Sequence, residues 1–533
     1  MHQVEDLPFL SAQDVLQLQT HGVKLEQVKE QISHFVSGFP ALKLVRPVGY
    51  GDGVIKLSEE TASTYFQQFE QAAERMNICK FVPASGAASR MFRLLFTYLE
   101  ANRRGEKLQQ AQVDRFFANL HQFAFYAPLK NALAENGLDL DKLLEKEDFL
   151  PVLECLLGEA GLNFGQLPKA LIPFHRYPDH CRTAVEEHLV EGALYGCSRG
   201  NHVHVHFTVS KHHLARIKEH VENALSDLEE KFECKFHPDF SIQLPSTDTI
   251  AVDLENKPFR DEEGRLVLRP GGHGALLENL NQVQADLIFI KNVDNVVPEH
   301  LSAPTVFWKK VIGGVLITVQ KQVFEWLQRM ESWKTWPTEE NESQAVDFIQ
   351  SSLNIALSSD YAARSPKVRV DMIRDLLNRP LRVLGIIRTD EPTGGGPFWV
   401  AHPNGSQSLQ IVETAQINLK DPAQKSVVSA SYFANITDLV CGIRNYRGEK
   451  FDLLQYRDKE AGFIAEKSLN GRPLKALEHP GLWNGAMAYW NTILVEVPQE
   501  TFNPVKSVMD LLEEGHIWGR DRANLLKIRF FQG

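Results

Sequence analysis

The sequence predicts an α/β fold layered around a sheet, and three observations carry that expectation. Short apolar strand candidates alternate with amphipathic helices between Cys79 and Val293. The segment Leu287 to Lys291 has four apolar residues in five, as a strand covered on both faces requires. A strand, a loop of tiny residues and a helix follow one another from Cys79 to Glu100, which places backbone N–H groups where they can meet an anion. No internal repeat and no long Pro- or Ser-rich linker divides the 533 residues, so the length reads as one elaborated core.

The elements follow from periodicity. Ser11 to Phe35 carries apolar residues at helical spacing, and Ser11 with Asp14 has the S-x-x-D form of a helix cap. PVGYGDGVIKL breaks that pattern, and Ser58 to Met76 opens a second helical stretch with acid in its first turn. Cys79 to Ala84 reads as a strand, SGAAS as a loop and Arg90 to Glu100 as a helix; residues 101–160 read as a helical insertion. The further strand candidates are Ala170 to Phe174, Val203 to Val209, Ile250 to Val252 and Leu287 to Val293, with a helix from Leu214 to Phe232 between two of them. Thr305 to Met330 and Glu340 to Asn354 are helical, and after Leu381 come the shorter strands VLGIIR, FWVA, SLQIVE and TILVEV.

Composition bounds the chemistry. Hydrophobic residues make up 43 % and charged residues 23 %, ordinary for a globular chain and too apolar for wholesale disorder. The net charge of −11 argues against a general nucleic-acid binder, whose affinity rests on Lys and Arg, but leaves room for a small phosphorylated ligand met by a few local cations. Six scattered cysteines with no CxxC pair, a start (MHQVEDLPFL) without signal-peptide character and no run long enough to span a membrane point to a cytoplasmic protein.

Four segments could carry chemistry. In FVPASGAASRM, the small residues let backbone amides approach a phosphate, with Arg90 placed for a bidentate contact; the competing reading is a tight turn packed by small residues. In LPKALIPFH, Lys169 precedes an apolar strand near a sheet edge, where a lone lysine is ordinarily a solvated charge. RPGGHGALLENL brings three glycines before a helix, suited to close ligand approach or simply to a loop needing positive φ. In LIFIKNVDNVV, Asp294 and Asn295 follow the buried strand, at the edge where α/β sheets gather ligands and an acid can hold Mg²⁺ on phosphates; an Asp-Asn turn is the alternative.

In order, PASGAASRM, PKALIPFH, FSIQLPST, RPGGHGALLENL and NVDN resemble the landmarks of the UDP-sugar pyrophosphorylases, and FNPVKSVMDLL is similar to the segment that follows the core in glucose-1-phosphate members. The whole chain also resembles a bacterial family known as a domain of unknown function (DUF4301-like). The resemblance implies a three-layer mixed sheet with a GT-A-like nucleotidyltransferase core. It also implies a division into a helical extension (1–76), a nucleotide-binding core with its insertion (77–345) and the rest of the core with a C-terminal segment (346–533). By the same resemblance, Ser85, Gly86, Ala87, Ala88, Ser89 and Arg90 bind a nucleoside triphosphate, with Arg90 on the departing pyrophosphate. Lys169 and Lys506 contact phosphate, Gln243 and Gly272 lie near the base, Gly271, His273, Gly274 and Asn295 belong to the same substrate-binding set, and Asp294 binds Mg²⁺. The chain departs from the family pattern in keeping one glycine of G-G-x-G-T-R-L, in the 79 positions that separate Lys169 from Arg90, and in having His273 between its glycines. The implied partners are a nucleoside triphosphate and a sugar-1-phosphate, or a nucleotide sugar, with uridine as the base.

Other features admit a different chemistry. NHVHVHF alternates strictly and puts His202, His204 and His206 on one strand face, where a zinc hydrolase could be built, although same-face residues nearly 7 Å apart at about 3.3 Å rise per residue make three ligands from one straight strand awkward. His212 and His213 read as solvated. EPTGGGPFW, Glu391 to Trp399, reads as a ligand-facing loop or as a flexible hairpin, Glu413 and Asn484 as a second metal ligand or as partners of buried backbone, and Trp326, Trp333 and Trp336 as packing. The readings that follow are a Mg²⁺-dependent nucleotidyltransferase, a nucleotide-sugar binding protein that has lost catalysis, and the zinc hydrolase.

Overall fold

The computed structural model describes residues 9–106, 111–331, 338–390 and 394–517. Glu391 to Thr393 of the EPTGGGPFW loop, and Trp333 and Trp336, lie outside the described residues. Strands Ile78–Pro83, Leu287–Lys291 and His202–Val209 are mutually parallel neighbours at the centre of a ten-stranded sheet. Strand Lys235–Ile242 adds in parallel beside His202–Val209. On the other side, Phe433–Gly442 runs antiparallel between Leu287–Lys291 and Leu381–Arg388, and Asn491–Glu496 then pairs in parallel with Leu381–Arg388. The carboxyl ends of the parallel strands therefore share one edge of the sheet.

Two further layers cover the sheet, giving the three-layer mixed α/β architecture that the sequence predicts. One face carries helices Ala184–Tyr195, Glu59–Ala73 and Ala303–Glu331, with Phe69, Tyr195 and Phe289 meeting in the interior. The other is covered by the short helix Leu276–Leu280, residues 482–490 and the antiparallel pair Gly395–Ala401 and Gln407–Glu413, whose Trp399, Leu409 and Ile411 pack over Ile288 and Ile290. Coverage on both sides explains why all five residues of Leu287–Lys291 are buried, the lysine included. Trp326 packs on Phe348 in the helical layer.

The insertion is helical as expected, with helices from Arg93–Arg103 to Phe149–Leu157 burying Phe116, Phe123 and Phe125 against the layer that holds Leu189 and Val205. Each fully buried phenylalanine contributes about 1.5–3 kcal/mol. At the N-terminus, helix Ala12–His21 starts at the Ser11–Asp14 capping box and ends at Gly22, whose φ of +80° favours glycine. Together with Leu25–Ser37 it packs on Ile250, Val252 and Leu477 of a smaller sheet, Thr249–Val252 with Arg472–Glu478. The chain then supplies strand Gly53–Ile55 to the ten-stranded sheet itself.

Arg260 grips the buried Asp14 carboxylate with both guanidinium nitrogens, at 2.7 and 2.8 Å. That fork, outweighing the cost of burial, pulls the Asp14 carboxyl down to about 2. A carboxyl held low contributes stability above its unfolded value and loses it as pH falls through the folded one. Asp14→Ala is thus expected to cost about 1–2 kcal/mol at neutral pH, and its melting temperature should converge on that of the parent between about pH 4 and pH 2. A constant gap across that range would refute the pairing.

Several expectations need correction. Ala170 to Phe174 is no strand of the main sheet: a 3₁₀ turn at Lys169–Leu171 leads into a separate hairpin, Pro173–Arg176 with Cys181–Thr183. The helix after the SGAAS loop begins only at Arg93, because Ala88–Arg90 forms a 3₁₀ turn first. Strands Lys235–Ile242 and Phe433–Gly442 escaped the sequence reading, the first because Pro238 interrupts it and the second because polar Asn435, Thr437 and Asp438 break its apolar run.

Candidate functional site

Asp294 is the point of convergence. Strand Leu287–Lys291 ends at the carboxyl edge of the sheet, and the turn after it buries Asp294 and Asn295. Lys169 Nζ donates to Asp294 Oδ2 at 2.8 Å and to the Val505 carbonyl at 2.8 Å, and Lys506 Nζ reaches the same Oδ2 at 3.3 Å. The C-terminal segment is sewn to this turn: Val505 N donates to the Asp294 carbonyl and Asn503 N to Asn295 Oδ1. Lys169 is buried rather than solvated, the reverse of a lone surface lysine. Three residues drawn from positions 169, 294 and 506 thus form one ion cluster.

The SGAAS loop lies against the same place. Lys169 N donates to the Gly86 carbonyl, Ala88 N to the Leu167 carbonyl, and Val508 N to the Met91 carbonyl, so the loop is tied to the lysine and to the C-terminal segment. The amides of Ser85, Gly86 and Ala87 meet no acceptor among the described residues, and all three residues are exposed. A side chain at Gly86 would meet nothing within 4 Å, and its φ is not positive, so packing and turn geometry do not require this glycine. Open space before free amides is what an anion needs. Ala88 is buried and anchors the loop, while Ser89 and Arg90 are exposed and Arg90 has no ion pair among the described residues.

Four buried polar atoms without partners lie along the same edge. Asp294 Oδ1, Asn295 Nδ2, Thr208 Oγ1 and Ser210 Oγ are all buried and unpaired. Thr208 and Ser210 end the strand beside the loop, and the Thr208 carbonyl accepts from Ala84 N. Groups of this kind ordinarily find a ligand or water. Sequence reading missed both, although polar residues closing an apolar strand at a carboxyl end were the signal available.

Beneath the Asp294 turn runs a charged network that sequence reasoning also missed. Glu191 on helix Ala184–Tyr195 accepts from Lys80 Nζ at 2.8 Å, Lys291 Nζ at 2.7 Å and the Tyr195 hydroxyl at 2.9 Å. His188, one turn earlier, hydrogen-bonds the Val293 carbonyl through Nε2 at 3.2 Å, next to Asp294. Burial, with Lys80 beside it, drives the His188 imidazole well below its usual value, so the ring is neutral and donates from Nε2 to that carbonyl. The helix thereby holds the turn that presents Asp294.

The residues assigned to the base form a second group. Gln243 follows the carboxyl end of Lys235–Ile242, so it lies on the same edge, and its amide reaches Asp248 only at 3.5 Å. His273 accepts from Leu482 N at 3.1 Å, stacks on Trp483 and approaches Glu413 at 3.5 Å, while Glu413 also pairs with Asn484. Glu413 and Asn484 therefore serve this cluster and make no contact with Asp294. The glycines beside His273 have intramolecular reasons: added carbons at Gly271, Gly272 and Gly274 would collide with His479, Glu478 and Pro480, and Gly272 has φ +76°. Among the described residues no hydrogen bond or ion pair joins this second group to the Asp294 cluster.

The histidine strand is mostly buried, with His202 exposed, His204 part-buried and His206 buried. His202 pairs with His237, whereas His206 is held between Asp239 and Ser241, so the three imidazoles do not converge. Among the described residues no three His, Cys, Asp or Glu side chains are placed to hold a metal ion, which removes the basis of the zinc hydrolase. His212 is exposed and His213 only part-buried. The six cysteines are unpaired, and among the described residues no helix is long and apolar enough to cross a membrane.

Fold and site together define a class: a mixed α/β protein with two lysines gathered on one buried carboxylate beside free loop amides at the carboxyl edge of its central sheet. The chain belongs to the family described as a domain of unknown function (DUF4301), which it matches over residues 11–517. A search of curated proteins returns no match. Among solved structures, it resembles the uridine diphosphate N-acetylglucosamine pyrophosphorylase of Trypanosoma brucei in complex with an inhibitor, at 12 % identity and TM-score 0.47, over 95 % of this chain and 78 % of that one. It also resembles a mutant UDP-glucose pyrophosphorylase of Leishmania major in complex with UDP-glucose, at 13 % identity and TM-score 0.43, over 94 % of this chain and 79 % of that one.

Proposed function

We propose that the protein is a Mg²⁺-dependent nucleotidyltransferase that joins a nucleotidyl group, uridylyl by resemblance, to a sugar-1-phosphate and releases pyrophosphate. The observation that carries this reading is the convergence of Lys169 and Lys506 on Asp294 beside the free amides of Ser85 to Ala87. In the reaction an oxygen of the acceptor phosphate bonds to the α-phosphorus, the bond to the bridging oxygen breaks, and pyrophosphate leaves with the electron pair. Both reactants are anions, so catalysis consists of positioning and neutralising charge. The loop amides and Arg90 hold the triphosphate, with Arg90 toward the leaving pyrophosphate. Lys169 and Lys506 meet phosphate oxygens at the reacting end. The attacking phosphate is already ionised, which fits a site without a general base.

Asp294 is the residue that would hold Mg²⁺. Its Oδ1 is buried and unpaired, and Mg²⁺ is ordinarily bound by one or two carboxylates together with substrate phosphates, so the side chain fits the ion. When bound, the ion would supply charge neutralisation to the phosphates. The Gln243 and His273 group would face the base, and the acceptor is a sugar-1-phosphate or a related phosphorylated metabolite.

Incubation with Mg²⁺, a panel of nucleoside triphosphates and sugar-1-phosphates should release pyrophosphate with at least one pair. Arg90→Ala is expected to slow that release at least about tenfold, equivalent to about 1.4 kcal/mol of barrier, with melting unchanged because the side chain is exposed. No release from any pair, together with no triphosphate binding by calorimetry, would sink the proposal. One observation favours a second reading, nucleotide-sugar binding without turnover: an ammonium already neutralises Asp294 Oδ2 at 2.8 Å. Saturable binding with no product separates that reading from the first.

A further inference from the structure

At the opposite edge of the central sheet lies a cavity of about 230 Å³ lined by Arg379, His402, Ser406, Ser408, Tyr489 and Trp490. Arg379 stands just before strand Leu381–Arg388 and Trp490 just before Asn491–Glu496, so the cavity is at the amino-terminal ends of two parallel strands. Asp294 follows the carboxyl end of a strand of the same direction, so this is a separate place in the fold.

The lining is rich in donors that the protein leaves unused. Arg379 gives Nε to the Asp375 carbonyl at 3.1 Å and Nη2 to its carboxylate at 2.8 Å, and Nη1 meets no acceptor among the described residues. The Tyr489 hydroxyl also lacks a partner there, and the Trp490 indole N–H is buried in the wall without one. His402 Nε2 is taken by Ser408 at 2.7 Å, which fixes the ring across from Tyr489. No carboxylate lines the cavity; Asp375, which takes Nη2, is largely solvent-exposed, and Asp458 stands near enough to Tyr489 to add to the effect of burial in raising its phenol. Aromatic walls with a few converging donors and one cation describe a site for a small anion.

We propose that this cavity binds a small metabolite bearing a carboxylate or phosphate, its oxyanion on Arg379 Nη1 and its body against Tyr489 and Trp490. Calorimetry of the full chain with two probes, inorganic phosphate and benzoate, tests this and separates the two sources of the oxyanion. The background is Arg90→Ala with Lys506→Ala, two exposed side chains whose removal weakens phosphate binding at the Asp294 cluster; whatever phosphate the loop amides still hold there is indifferent to substitution at Arg379 or Asp375. One probe should bind at one site per chain. Arg379→Gln should weaken it at least about tenfold, and Asp375→Asn, which removes the carboxylate charge beside the guanidinium while the Asp375 carbonyl keeps Nε, should tighten it several-fold. If circular dichroism shows that Arg379→Gln is unfolded, the Asp375→Asn titration decides alone. Absence of saturable binding by either probe, or affinity indifferent to both substitutions, overturns the proposal.

Discussion

Glu191→Gln is expected to destabilise the chain by about 3–5 kcal/mol, the loss that follows when one partner of a buried ion pair is removed. Glu191, Lys80 and Lys291 are each at most 1 % exposed, so no water can replace the missing charge. One carboxylate serves two ammonium groups at 2.8 and 2.7 Å, and glutamine can accept from one of them but neutralises neither. Burial pushes the Glu191 carboxyl up, yet Lys291 and Lys80 outweigh it and hold the group well below its ordinary value. The stabilisation it provides is therefore present above its unfolded pKa and lost only as pH falls toward the folded one. Urea melts at pH 7 should show the full difference between parent and variant, and melts in acid a smaller one. Replacing all three, with Glu191→Leu, Lys80→Met and Lys291→Met, should recover most of the loss, because an apolar core of similar volume needs no compensating charge. A midpoint in Glu191→Gln equal to that of the parent would show that the three charges are not coupled.

Asp294→Ala is expected to lower turnover at least about a hundredfold, the scale on which loss of one preorganised electrostatic group acts. The carboxylate is the common anion of Lys169 and Lys506, and its removal leaves two ammonium groups to repel each other where the proposed reaction puts the phosphates. Substrate affinity should change less than kcat, since the loop amides and Arg90 remain. The fall should come with a loss of Mg²⁺ dependence. Lys169→Met should behave differently: it also removes the donor to the Val505 carbonyl, so loosened docking of the C-terminal segment is expected, read as faster proteolysis beyond residue 500. Wild-type kcat in Asp294→Ala would move the site elsewhere.

How much of this was legible depends on whether the determining contacts are local. Helix Leu214–Phe232 and strand Leu287–Lys291 follow from periodicity and apolar runs, because a helix stripe and a doubly covered strand leave their pattern in consecutive residues. Asp294 and the Ser85 to Arg90 loop were readable for the same reason: each sits directly after a strand that announces itself. Lys169 and Lys506 were placed by resemblance, since nothing adjacent to either distinguishes it from a surface lysine. The glycines around His273 looked like ligand-facing residues, and the contacts that explain them come from His479 and Pro480, two hundred positions away.

The sequence by itself determined the α/β class and the order of the main helices, and singled out three segments, those of Gly86, Lys169 and Asp294, that the fold brings together. It also set an acidic balance of −11 that confines anion binding to a local set of cations. Only the tertiary structure decided that Lys169, Asp294 and Lys506 meet, that Lys80, Glu191 and Lys291 neutralise one another inside the core, and that three histidines on one strand do not form a metal centre. The physical reason is range: turns, caps and periodicity are set by neighbours along the chain. The pairing of charges is set by which strands the sheet brings side by side.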